Sequence, residues 1–253
     1  MAFSKSKGAF ISRMDADDVM PKDKLKSLKR LLGSQKKTVA TSKVRYFSNE
    51  QVSHGYLNYQ NWLNMMNESC DFEKNIYREC VVASPNWLVH RTCFEEDIKL
   101  DQLEYPEDYD MTLKWYGLGY QFITSPEITH QWREHPDRTS RNSDRYQQTS
   151  FFKLKLKHFV HYELDQKEEV QLIGAGTKGK LTASILTNLK RNYEWYDFNQ
   201  TRLENNQLKD VKNIRPIRKT LLTNWPSDEK LREVISKFLK DKGFVFGENI
   251  WLL

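Results

Sequence analysis

The chain has 253 residues, of which 29% are charged and 13% aromatic, a globular composition without low-complexity tracts. Forty Lys and Arg against 34 Asp and Glu give a net charge of +6, but the basic residues are spread out and match no nucleic-acid-binding motif, so no nucleic-acid partner is expected. No apolar run reaches the ~18 residues of a membrane-spanning helix, and the start MAFSKSKGAF lacks the apolar core of a secretory signal.

Three cysteines, Cys70, Cys80 and Cys93, have no metal-type spacing and read as free thiols in a reducing compartment. In chain order, an apolar run through Ile11 predicts a strand that ends in Asp15, Asp17 and Asp18. Carboxylates clustered this closely repel one another unless a cation joins them, and a divalent metal held there can hold a diphosphate. The plain alternative is a solvated acidic turn capping the next helix. That helix is predicted from Pro21 to Leu32, with Gly33 as its C-terminal cap, and a strand follows over Thr38 to Phe47. Helical patterns come next around Tyr56 to Met66 and Phe72 to Tyr77, then a short apolar run at Asn86 to Arg91.

A short amphipathic helix is expected over Pro106 to Tyr116, closed by Gly117 and Gly119. Glu107 and Asp108 open it, either as dipole complements or as working carboxylates. Tyr120 to Thr124 reads as a strand. The stretch THQWREHPDRTSRN carries His130, Arg133, His135, Arg138 and Arg141 and reads by itself as a polar surface loop, although Arg forks suit phosphate oxygens. From Ser143 to Glu163 the pattern is a long basic helix. Its aromatics invite either packing on one face or contact with an anionic membrane surface.

The pattern restarts near residue 166. Val170 to Ile173 enters Gly174-Ala175-Gly176-Thr177-Lys178-Gly179, followed by a helix (Lys180 to Leu189) and a strand (Tyr193 to Phe198). Gly174, Gly176 and Gly179 fit G-x-G-x-x-G, and Asp197 stands where the dinucleotide fingerprint places its ribose-binding acid. An apolar run at Leu221 to Trp225 and a helix from Pro226 to Lys240 complete a small Rossmann-like unit.

Taken in order, GAFISRMDADDVMPKDKL, NWLVHRTCFEE, PEDYDMTLKWYGLGYQF and HQWREHPDRTS resemble the glycosyltransferase family 2 type of inverting enzyme. The resemblance covers about residues 5 to 165 and implies a GT-A fold. It implies that Asp15 and Asp17 form a DxD pair holding Mg²⁺ or Mn²⁺, with Asp18 supporting substrate. It further implies that Asp108 is the general base, Glu107 its neighbour, and that Arg133 and His135 help hold the diphosphate or metal. NWLVHRTCFEE would line the acceptor side.

The expected architecture is α/β: a partial GT-A mixed sheet over residues 1–165 and a small Rossmann-like domain over 166–253. Only seven residues precede Gly8, whereas two βαβ units need roughly 60 residues. The family's first strands are therefore expected to be missing, leaving a sheet edge open and catalysis dependent on what is missing. The expected function is transfer of a sugar from a nucleotide-sugar donor to a glycan or lipid-linked hydroxyl in bacterial polysaccharide biosynthesis. The expected location is the cytoplasm, with peripheral contact at the inner face of the membrane. The alternatives are a non-catalytic remnant that binds a nucleotide or protein partner, and an NAD-linked enzyme built on the glycine loop.

Overall fold

The computed structural model describes residues 2–135, 148–202 and 207–253. Its elements run α1 (Ala2–Lys5), β1 (Phe10–Ile11), α2 (Lys24–Leu32), β2 (Thr38–Phe47), α3 (His54–Ser69), α4 (Phe72–Asn75), β3 (Trp87–His90), α5 (Glu107–Gly117) and β4 (Gln121–Arg133). They continue with α6 (Gln148–Tyr162), β5 (Val170–Ile173), α7 (Thr177–Asn188), β6 (Tyr193–Asp197), β7 (Leu208–Asp210), β8 (Thr220–Leu222), α8 (Glu229–Asp241) and β9 (Ile250–Leu252). The expected α/β class, with one mixed and one parallel sheet, is observed. No helix among the described residues is long and apolar enough to cross a membrane.

The chain forms two units, Met1–Phe72 with Cys80–Tyr146, and Glu73–Glu79 with Gln147–Leu253. The break read near residue 166 thus marks the start of the second sheet, while the second unit itself begins earlier. Its helix α6 buries Phe152, Leu156 and Phe159, and Tyr77 meets Phe159 edge-on at 5.4 Å and donates to Glu163 at 2.9 Å. The apolar side of α6 is therefore spent inside this unit, with Lys153 and Lys157 exposed. Residues 143–147 of the predicted basic helix lie outside the described residues.

The first unit carries a four-stranded mixed sheet in the order β1-β3-β2-β4. β3 is antiparallel to both β1 and β2, and β2 is parallel to β4. Leu28 and Leu32 of α2 pack on Ala40 and Leu88, which fits an amphipathic helix whose Lys26 and Lys29 stay wet. α3 lays Leu63 against Val44, Tyr46 and Trp132. Its amides also serve the sheet. The Asn64 carbonyl accepts from the Val44 N–H (2.9 Å) and its NH₂ donates to the Val44 carbonyl (3.0 Å), while Gln60 accepts from the Tyr46 N–H (2.6 Å).

β4 is longer than the predicted Tyr120–Thr124, because THQWR continues the strand. Its register against β2 slips between Ser42 and Val44, where Pro126 and Glu127 are accommodated. Such bulges bend a strand and re-aim the side chains that follow. Buried Asn86 stitches the bend: it donates to the Ser42 carbonyl (2.9 Å) and accepts from Thr129 Oγ1 (2.8 Å). This delivers His130 and Arg133 toward the acidic loop.

The second unit has five parallel strands in the order β7-β6-β5-β8-β9, with a switch of winding between β5 and β8. That is a Rossmann-like arrangement. Its core joins Ile173, Tyr196, Leu222, Leu239, Ile250 and Leu252. Asp228 caps α8 by accepting from the Leu231 N–H at 2.8 Å.

Candidate active site

The acidic loop leaves β1 and divides its carboxylates between two directions. Asp15 accepts from Arg13 Nε at 3.1 Å, and Arg13 Nη1 lies 3.7 Å from Glu107 Oε1 at the start of α5. Arg13 therefore links the first acid of the loop to the first acid of the helix. Asp17 instead meets His135 Nε2 at 3.0 Å, while its backbone carbonyl accepts from Arg133 Nε at 2.7 Å. The Asp18 side chain, 1% exposed, accepts from His130 Nε2 (2.9 Å) and from the Arg133 N–H (2.8 Å). Asp18 is thus turned inward, away from the solvent that a substrate would displace. An antiparallel bridge between Val19 and Gln131 completes the join of loop and strand.

Arg13, Met14, Glu107 and Asp108 line one hollow of about 590 Å³, whose remaining wall is largely apolar and includes Phe10, Trp87, Phe94 and Met111. Burial pushes the Asp108 carboxyl above the usual carboxylate range, and neighbouring Glu107 pushes it further. The Tyr109 N–H at 2.9 Å and the Arg13 guanidinium oppose the rise. A carboxylate raised in this way is a stronger base than a solvated one.

The structure brings Asp15, Glu107 and Asp108 together around Arg13, and brings Asp17 to His135. Arg138 and Arg141 lie outside the described residues. Arg13 and Lys24 were not singled out in the sequence. The one signal for Arg13 was a cation two positions before the acids, and Lys24 looked like one more wet lysine. In fact Lys24 is 1% exposed, and burial lowers its ammonium to about 8, against the pull of Asp18 and Asp15.

Among the described residues no three His, Cys, Asp or Glu side chains converge to hold a metal by themselves. Mg²⁺ typically needs only one or two carboxylates when substrate phosphates and water supply the other oxygens. Asp17 and His135, adjacent and part-exposed, fit that shared kind of site rather than a closed protein cage.

In the second unit Gly174 adopts φ +104°, which only glycine holds without strain, and a Cβ on Gly179 would overlap the Gly174 carbonyl oxygen. Asp197 is not presented to a ribose. Its buried carboxylate accepts from the N–H groups of Ala175 (2.5 Å) and Asn199 (2.6 Å) and from Arg202 (3.3 Å). Gly174 and Gly179 therefore build a tight strand-to-helix turn, to which the acid at the end of β6 is already hydrogen-bonded. A hollow of about 370 Å³ beside the turn is lined by Gly176, Lys178, Gly179 and Arg202.

No family model and no curated protein matches the chain. Among solved structures, residues 1–349 of S. aureus TarS in complex with UDP-GlcNAc align at 15% identity and a TM-score of 0.44, covering 73% of this chain and 50% of that one. The same fragment in complex with UDP aligns at 14% identity and 0.41, covering 73% and 48%. L-tryptophan dehydrogenase from Nostoc punctiforme aligns at 12% identity and 0.25, covering 81% and 67%. The chain spans about half the length of the TarS fragment.

Proposed function

We infer that the first unit is a glycosyltransferase of the inverting, GT-A type, moving a sugar from a nucleotide-sugar to a hydroxyl of a glycan or lipid-linked acceptor. The observation that carries this reading is Arg13, which joins Asp15 to Glu107 beside the hollow that Asp108 lines. Asp17 and His135 would hold Mg²⁺ or Mn²⁺, in place of the Asp15–Asp17 pair that the resemblance implied, since Asp15 turns to Arg13 instead. When bound, the cation neutralises the diphosphate leaving group.

The chain's own residues supply the rest. Asp108 takes the proton from the acceptor hydroxyl as its oxygen attacks the anomeric carbon from the face opposite the breaking bond. The bond between that carbon and the diphosphate oxygen breaks, and the nucleoside diphosphate leaves with inverted configuration at the sugar. Arg13 keeps Glu107 drawn to Asp15, so that its charge stands beside Asp108 through the proton transfer.

The test is release of nucleoside diphosphate from a panel of nucleotide-sugars with Mn²⁺ and a mixed glycan acceptor. Asp17→Ala and Asp108→Asn are expected to abolish turnover, by about a thousandfold or more for the lost base. Retained turnover in either variant removes that residue's role. Heat on mixing UDP and Mn²⁺ without turnover would favour a non-catalytic nucleotide-binding remnant.

A further inference from the structure

Lys24, His130 and Asp18 form a buried chain that the reaction above does not use. Lys24 Nζ donates to the Pro85 carbonyl at 2.5 Å and lies 3.3 Å from His130 Nδ1, and His130 Nε2 lies 2.9 Å from Asp18 Oδ2. All three side chains are at most 1% exposed. An ammonium has no lone pair to accept with, and a carboxylate has no proton to give. Between an ammonium and a carboxylate, the imidazole accepts at Nδ1 and donates at Nε2.

The chain ties the acidic loop and the first turn of α2, which adjoin in sequence, to the last part of β4, more than 100 positions further on. Asp18 takes a further bond from the Arg133 N–H, and Arg133 Nε holds the Asp17 carbonyl. These attachments fix the backbone immediately after Asp17 and two residues before His135. They leave the Asp17 carboxylate and the His135 ring facing each other in partial exposure. Lys24 and Asp18 at the two ends of the chain are buried at the expense of desolvation, so the chain is a weak source of stability.

We propose that Lys24, His130 and Asp18 are positioning residues that set the spacing of Asp17 and His135 for a divalent cation. The inference rests on the reading that Asp17 and His135 hold that cation. Partners that orient metal-binding groups commonly change metal affinity by about 10- to 100-fold when removed.

The experiment measures Mn²⁺ binding to the full chain with UDP present, from loss of the free-ion signal in electron paramagnetic resonance beyond that of Mn²⁺ with UDP alone, with the urea midpoint of each variant recorded alongside. His130→Phe, which keeps the ring but neither nitrogen, should weaken Mn²⁺ about tenfold or more, and Lys24→Met should weaken it in the same direction. His130→Gln, whose amide can still donate to Asp18, should stay within about threefold of the parent. Folded His130→Phe and Lys24→Met proteins with parental affinity would overturn the proposal. If His130→Phe does not fold, Lys24→Met against the parent decides alone. Asp17→Ala separates the two levels: parental Mn²⁺ affinity in that variant overturns the cation reading itself, whereas its loss with unchanged His130 and Lys24 variants overturns only the positioning chain.

Discussion

Lys155 sits in α6 with 3% of its surface exposed, and burial lowers its ammonium to about 7, with Lys178 adding to the effect and Glu79 opposing it. Moving a lysine from 10.5 to about 7 corresponds to about 5 kcal/mol of preference for the neutral amine. Below pH 7 both folded and unfolded chains carry the proton, so the folded state bears that penalty in full. Between about 7 and 10.5 only the unfolded chain stays protonated, and stability rises with pH. Lys155→Met removes the penalty. It also loses a hydrogen bond to the Arg78 carbonyl at 3.4 Å, and a contact of the ammonium with the Phe152 ring at 4.0 Å. Those losses amount to about 1 kcal/mol for the bond and about 1–2 kcal/mol for the buried cation–ring contact. The expected net gain is about 2 kcal/mol at pH 6, shrinking and then reversing toward pH 10. Urea unfolding followed by far-ultraviolet circular dichroism at pH 6 and 9.5 measures it. A variant less stable than the parent at pH 6, or a gain equal at both pH values, refutes the reasoning.

Two further outcomes are expected. Arg13→Gln takes away a charge that holds the Asp108 carboxyl down, so its titration should move to still higher pH, read by carboxylate carbon NMR against Asp108→Asn for assignment; an unchanged or lower value would break the link between them. Gly179→Ala forces a Cβ onto the Gly174 carbonyl oxygen and should destabilise the second unit by about 3 kcal/mol or more, visible as a lowered urea midpoint, whereas Gly55→Ala, with open space at its Cβ, should leave that midpoint nearly unmoved.

Local pattern was enough wherever one face of an element decides its fate. β2 and β5 have the bounds read from their apolar residues, and Gly33, at φ +59°, ends α2 as expected. Short strands escaped notice: Leu208–Asp210 has no alternation, and Ile250–Leu252 is three apolar residues that a helix end would equally show. Long-range pairing was beyond reach. Nothing around Lys24 announces a histidine 106 positions later, and nothing around Lys155 distinguishes it from its wet neighbours Lys153 and Lys157. His130 and Arg133 looked like loop residues by themselves, because β4 continues through Pro126 only by bulging. The glycine spacing was legible, but the commitment of Asp197 to the Ala175 N–H was not.

The amides of Asn64 and Gln60 reach Val44 and Tyr46 just past Thr41, the last residue of β2 that pairs with β3. There, helix α3 imitates a missing neighbour, offering acceptor and donor at the rungs a visiting strand would need. A foreign strand approaching that flank finds its hydrogen-bonding positions filled and a helix in the way. Recruitment of other chains through backbone pairing is thereby discouraged along the upper half of β2 by two uncharged side chains of the neighbouring helix.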